Sequence, residues 1–491
     1  MKKIIFTLLL TTISTAAFAA GPFYLYETAS GGYDARTWAG GTFNWKYDTG
    51  TLGPYQALPA TDADKETCKN LAGQEKPLES LCGYMMKPCG IVMCIEVILK
   101  EWAEKKSFLG DNVTQVATSS IKAVNAGSIG KDDITSENFS IESGYKYKDD
   151  LPEKTVLIIF DDEAKDGILA QVGHGDKLGL TGLEPNDDKT ANYTGGWLIL
   201  NGKMAGDETF PATIMHELGH LMGLDHSQLQ KASMDAANNE KVEEGVPTMY
   251  PYLLGKFQFV LNIDDTVSLA MLYPTSGFKN SFCVIEGDLT DADDKPYQGI
   301  NVIAYANGAS EQFLDSRSSV SGAIYPPCSD DKGSGHYVLA GLVPGVPYNV
   351  IYEPIYSEFR NVVSGMNPYN ENICNLKPGL ENSGLVTFGG KQLVACSAKA
   401  VGNIADKYKN AQGLVANSTV PPEAVYIENK ANISAGTTGL DSTPVTEEAT
   451  DSGGKKGWCG SLMGGVSPVW GGLLPVLAGV LLALRLRKQN L

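Results

Sequence analysis

Five histidines occur in the chain, and three of them fall in one eleven-residue stretch, His216-Glu217-Leu218-Gly219-His220-Leu221-Met222-Gly223-Leu224-Asp225-His226. On a helix, His216 and His220 at i and i+4 project from one face about a turn apart, so two imidazoles can bind one cation. His226 supplies a third nitrogen. Three protein ligands on a tetrahedral Zn2+ leave one position for water, whose pKa then falls to roughly 7. Glu217, beside the first ligand, is placed to take the proton of that water and hand it to a leaving group. These residue types at this spacing point to metal-assisted hydrolysis, with His216, His220 and His226 as ligands and Glu217 as general base.

Local elements must hold these groups in place. The spacing predicts a helix beginning near Pro211, a residue tolerated in a first turn, with Thr209 or Asp207 as its cap. Ile214, Leu218 and Leu221, at i, i+4 and i+7, form the stripe that would hold the helix to a sheet. Gly223 is predicted to end it, because glycine takes the left-handed conformation that closes helices, and the chain then turns back to deliver His226.

The stretch H-E-x-x-H-x-x-G-x-x-H resembles the signature of the metzincin zinc proteases. Val246-Pro247-Thr248-Met249-Tyr250-Pro251 is similar to the Met-turn of that clan, in which the methionine, here Met249, forms a hydrophobic floor under the histidines. Asn262-Ile263-Asp264-Asp265, followed by residues 269–273, resembles the last helix of the matrixin branch. Trp38 and Phe43-Asn44-Trp45-Lys46-Tyr47 look like its first strand, and residues 155–160 and 197–201 look like later strands. The resemblance spans roughly residues 24–274. It implies an α+β fold, a twisted mixed sheet with the active-site helix, one catalytic Zn2+, and protein or peptide substrates that add as an extended strand to the sheet edge above that helix. Residues 197–201 are the candidate edge. Tyr250 and Tyr252 are candidates for the wall of the pocket beside the metal.

Some features of the family are missing. Matrixins often carry a second, structural zinc on three histidines and an aspartate, and only His174 and Asp176 are available here. Acidic positions at Asp161, Asp162, Asp176, Asp187 and Asp188 offer the oxygens that Ca2+ takes; solvated loop carboxylates are the alternative reading. The tyrosine that some metzincins place two residues after the methionine is Pro251, so Tyr250 or Tyr252 would have to serve instead. Pro88-Cys89-Gly90 is similar to the cysteine switch of matrixin zymogens, but it falls inside the catalytic segment and Cys89 has three neighbouring cysteines with which to pair.

The chain has 491 residues, 43% hydrophobic and 20% charged, too long for one core and too apolar for a disordered protein. Its formal net charge of −18 argues against nucleic acid as a partner, since duplex binding needs clustered cations to displace counterions. Lys2-Lys3, a short apolar run from Ile4 and small residues up to Ala19 read as a secretory signal over residues 1–19. Residues 462–484 are apolar and uncharged, and Arg485, Arg487 and Lys488 follow. Those features predict a membrane span with the basic end in the cytoplasm, kinked at Pro468 and Pro475. Trp458-Cys459-Gly460, the span and the arginines together resemble the tripartite sorting tails of bacterial surface proteins, the MYXO-CTERM kind, which implies an envelope sorting machinery as partner and export to the cell surface. Nine cysteines fall into groups of four (68, 82, 89, 94), four (283, 328, 374, 396) and one (459), and even groups in an exported chain suggest disulfides.

Residues 20–276 thus form the expected protease domain. Residues 280–400 read as short strands with frequent turn residues. Gly335-His336-Tyr337 and Leu342-Val343-Pro344-Gly345, with Tyr348, resemble the carboxypeptidase regulatory-like β-sandwich, which implies an all-β spacer or adhesive module in which His336 is structural. Residues 403–456 are polar and short of large apolar groups, so they read as a flexible stalk, and residues 457–491 as the tail. The alternative to an exported zinc endopeptidase is a surface adhesion protein whose zinc domain is a non-catalytic scaffold.

Overall fold

The structure, a computed structural model, describes residues 21–29, 33–49, 62–72, 82, 90–104, 119–129, 151–161, 167–171, 174–185, 191–202, 209–227, 245–251, 253, 256–291, 300–306, 316–322, 335–343, 347–354, 393–394, 429–433 and 458–461. The expected signal (residues 1–19), the apolar run 462–484, Cys89 and Tyr252 lie outside them. Among the described residues no helix is long and apolar enough to cross a membrane.

The first part of the chain contains β1 (Leu25–Glu27), β2 (Tyr33–Ala35), β3 (Thr37–Trp38), β4 (Thr42–Asp48), α1 (Asp62–Ala72), α2 (Gly90–Glu104), β5 (Lys122–Ile129), β6 (Thr155–Asp161), α3 (Ile168–Gln171), β7 (Lys177–Pro185), β8 (Asn192–Asn201), α4 (Phe210–Leu221), α5 (Ile263–Leu272) and α6 (Ser276–Ser281). A large mixed sheet has the strand order β7-β8-β6-β4-β5, with β3 paired to β8. β7 is antiparallel to β8; the pairs β8–β6, β6–β4 and β4–β5 are parallel. The unbroken apolar run of β6 is buried at every position, as a strand covered on both faces requires. β4 instead alternates, with Phe43, Trp45 and Tyr47 turned inward.

One face of the sheet carries α2, α4 and α5 over a core that includes Trp38, Phe43, Trp45, Trp102, Leu218 and Met249. The other face has a smaller cluster, Leu157, Ile159, Leu180, Trp197 and Ile199, closed by Leu169 of α3. A disulfide joins Cys82 to Cys94 of α2, and Cys68 is also disulfide-bonded, so the early cysteine group is a bridging group. Cys89, Cys328, Cys374 and Cys396 lie outside the described residues.

The strand reading of residues 197–201 holds, but their placement at the sheet edge does not. They belong to β8, which is hydrogen-bonded on both sides, to β7 and to β6. The strand packed against α4 is β7, and a short segment, β16 (Trp458–Ser461), pairs with its outer side. The physical reason is visible in composition: Trp197-Leu198-Ile199-Leu200 is apolar on both faces and belongs in the middle of a sheet, whereas β7 carries glycines and a threonine.

Further along the chain are β9 (Cys283–Asp291), β10 (Ile300–Ala306), β11 (Arg317–Val320), β12 (His336–Leu342), β13 (Pro347–Pro354), β14 (Leu393–Val394) and β15 (Asn429–Ile433). They form a four-stranded sheet in the order β11-β10-β13-β14 and a three-stranded sheet in the order β12-β9-β15. β15 lies within the polar residues 403–456 and pairs in parallel with β9. His336 stands opposite Asp288 in the β12–β9 ladder. At the coarse level the chain is α+β, a largely parallel central sheet with few helices, followed by strands.

Candidate metal centre

α4 starts with Pro211 in its first turn; Thr209 occupies the cap position without a side-chain cap bond, and Asp207 lies outside the description. Its end is built around Gly223, whose φ of +94° is left-handed. The Gly223 N–H donates to the His220 carbonyl at 2.8 Å and the Leu224 N–H to the Gly219 carbonyl at 3.1 Å, the paired bonds of a Schellman turn. A Cβ on Gly223 would stand 3.1 Å from the Tyr193 ring. From this turn the chain reverses and brings His226 back toward the helix. The turn is fastened from outside: the Asp225 N–H donates to the Gly21 carbonyl at 2.7 Å and the Phe23 N–H to the Gly223 carbonyl at 2.8 Å.

His216, His220 and His226 meet as the sequence predicts. All three are buried, and one candidate ligand atom from each lies within 4.8 Å of the others. Ring centroids are 4.6 Å apart for His216 and His220, 4.8 Å for His220 and His226, and 5.1 Å for His216 and His226. His216 Nδ1 stands 2.7 Å from the Thr248 carbonyl and His220 Nδ1 2.7 Å from the Leu224 carbonyl. A carbonyl accepts only, so these contacts put the proton on Nδ1 and leave the Nε2 lone pair for a metal. For His226, the Asp225 carboxylate lies 3.7 Å from Nδ1.

Burial lowers the pKa of each ring, His216 to about 4 and the other two well below the usual value, where the neighbouring imidazoles add to the effect. The rings are therefore neutral, the form that ligates. Among the described residues the Nε2 atoms of all three have no hydrogen-bond partner. A buried polar atom left unsatisfied costs roughly 1–3 kcal/mol, and three such rings, each with a ligand nitrogen within 4.8 Å of the others, are accounted for by a cation between them. The donor set fits a divalent metal. Among the described residues it is the one such cluster of three or more donors, and His174, Asp176 and Asp161 are not part of another.

Beneath the histidines lies Met249, fully buried. Gly219 gives it room: a Cβ there would collide with the Met249 sulfur and stand 3.0 Å from Trp102. The turn bearing Met249 is clamped by α5. Asp265 accepts from the Thr248 N–H at 2.8 Å, the Met249 N–H at 3.0 Å and the Asn262 N–H at 2.9 Å, and the Asn262 amide donates to the Gly245 carbonyl at 2.8 Å. The Ser227 N–H donates to the Met249 carbonyl at 2.7 Å, tying this turn to the residue after the third histidine. Tyr250 is buried in the same turn.

Glu217 is fully buried on α4 and faces β7. The Thr181 hydroxyl stands 2.6 Å from Glu217 Oε2, to which it donates, and 3.2 Å from the Glu217 carbonyl. Gly179 lies over the same side chain, where a Cβ would stand 2.9 Å from Glu217 Cγ. The sequence reading did not find Thr181 or Gly179, and it gave Asp225 and Asp265, which stand in the stretches it singled out, no part in holding the site. Thr181 carries no local signal; the glycines of β7 do, since glycine inside a strand marks a close approach by another group.

No known family profile matches the chain, and no curated protein matches it. Among solved structures, the dioxygenase domain of a dioxygenase and carbohydrate-binding protein fusion from the cellulolytic bacterium Streptomyces sp. SirexAA-E aligns with 16% of this chain and 53% of its own length, at 20% identity and a TM-score of 0.12. The chain thus spans about half the length of that domain.

Proposed function

We propose that this chain is an exported zinc endopeptidase of the metzincin type, with His216, His220 and His226 as the metal ligands and Glu217 as the general base. The observation that carries the reading is the convergence of three buried histidines whose Nε2 atoms have no other partners among the described residues, with the first of them followed in sequence by a glutamate whose carboxylate is held by Thr181. Bound there, Zn2+ would supply Lewis acidity to a substrate carbonyl and lower the pKa of a coordinated water.

The protein's own groups do the rest. Thr181 fixes Glu217 Oε2, so a proton from the attacking water is taken at Oε1 and returned to the leaving nitrogen. Asp265 holds the Met249 turn, and through the Thr248 carbonyl that turn orients the His216 ring. The outer side of β7, next to Glu217, would offer a row of backbone groups to an extended peptide that takes the place of β16. Trp458-Cys459-Gly460 and the basic end support delivery to the bacterial envelope, and the strands of residues 280–400 support a spacer of the carboxypeptidase regulatory-like sandwich type.

Metal analysis and a cleavage assay on casein test the reading. Zinc near one per chain is expected, with cleavage that a chelator abolishes and zinc restores. Glu217→Gln should retain the zinc and lose about 10²–10⁴-fold in rate, the usual worth of a general base. Undiminished cleavage by Glu217→Gln overturns the base assignment, and bound zinc without any cleavage turns the domain into a scaffold.

A further inference from the structure

The outer edge of β7 is not bare. β16 runs along it in parallel, with Trp458 opposite Lys177, Gly460 opposite Leu180 and Ser461 opposite Thr181, and an irregularity at Cys459. It also touches α4. The stretch of β7 it covers is the one that packs against Glu217, since Gly179 lies over that side chain and Thr181 donates to it. A sheet edge presents a single row of backbone donors and acceptors, and one added strand uses it up. Any peptide that pairs with β7 over these residues has to displace β16.

On the reading of this site as a peptidase cleft, we propose that Trp458–Ser461 is the resident occupant of the peptide-accepting edge, a tethered strand that competes with incoming extended peptides. Three paired residues bind weakly in free solution. Attachment to the same chain raises the local concentration to the order of mM, enough to keep the edge filled while a well-matched substrate can still displace it. If the edge is free one-tenth of the time, apparent affinity for an external peptide drops about tenfold. Cutting the chain between β15 and β16 converts the occupant into a dilute peptide and opens the edge. The tail then has two roles, as an address for the envelope and as a brake that its own removal releases.

The test uses the full chain in detergent, with a site-specific protease sequence inserted between Asp441 and Ser442, before and after cutting. Two quantities are read, hydrogen exchange of the β7 amides and kcat/KM on a quenched peptide. Cutting should speed exchange of the outward-facing amides of residues 177–181 at least tenfold and raise kcat/KM about tenfold, and a synthetic peptide of residues 456–463 at mM concentration should reverse both. Gly460→Pro in the uncut chain, which interrupts strand pairing, should give the same rise. Exchange that neither cutting nor Gly460→Pro changes overturns the inference, as does faster exchange with an unaltered kcat/KM. Faster exchange in a protein that hydrolyses nothing leaves the occupancy standing and overturns the peptidase reading instead.

Discussion

A glutamate wholly buried beside three uncharged rings is costly unless something holds its carboxylate. Burial of an ionised group without hydrogen bonds is among the most destabilising events in a protein interior. Here the Thr181 hydroxyl meets Glu217 Oε2 at 2.6 Å, so one threonine on the neighbouring strand both offsets that cost and fixes where the second oxygen sits. Thr181→Val keeps the shape and removes the donor. A hydrogen bond to a charged group contributes about 1.5–3 kcal/mol, so kcat should fall roughly ten- to hundredfold while KM and zinc content stay near their original values. Steady-state kinetics with metal analysis on the same sample makes the check. A fall in zinc content instead would place Thr181 among the groups that build the metal site.

At the scale of elements, α4 and its closing turn are the device that turns three sequence positions into one site. Gly223 takes φ +94° and packs 3.1 Å, as a Cβ would measure it, from Tyr193. Gly223→Ala should therefore cost about 1–2 kcal/mol for the left-handed backbone alone, lower Tm by several degrees, and weaken zinc binding by displacing His226; calorimetry of the metal-free protein and competition with a zinc chelator read the two effects separately. This element was legible because its signals are local: a proline at the start, ligands at helical spacing, an apolar stripe, a glycine at the end. Strand order was not legible. Residues 197–201 are apolar on both faces, a mark of a central strand, yet closeness in sequence to the metal helix pointed to an edge. That the antiparallel strand β7 and then β16 lie outside them depends on pairing across the sheet, which no window of sequence contains. Thr181 stayed hidden for the same reason, since it acts on a residue 36 positions away, and the role of Asp265 stayed hidden because its bonds reach back 16 and 17 positions to the Met249 turn.

Across the whole molecule, Asp264 connects the two parts of the chain. Its carboxylate accepts from the Ser227 hydroxyl at 2.7 Å, one residue past the third histidine, and from the Ser318 N–H at 2.7 Å in β11. β11 is thus fastened, through this carboxylate, to the segment that delivers His226. Burial pushes Asp264 up to about 6 against the pull of the Ser227 and Ser318 donors and of Arg317, and burial with the Asp264 charge pushes Asp265 up to about 7. Both folded values lie above the unfolded one near 3.8, so between about pH 4 and pH 7 the folded chain binds more protons than the unfolded chain. Stability associated with the pair is complete below that window and is lost as pH rises through it, at up to about 1.4 kcal/mol per pH unit for each proton. The three neutral histidines have the opposite slope, because the unfolded rings take up protons below their ordinary value. Asp264→Asn isolates the carboxylate term: in urea unfolding of the chelated protein from pH 4.5 to 7.5, the decline with rising pH attributable to Asp264 should vanish, and the variant's stability should rise with pH relative to the parent's. Parallel pH curves for the two proteins would show that Asp264 is ionised throughout and that its donors outweigh its burial.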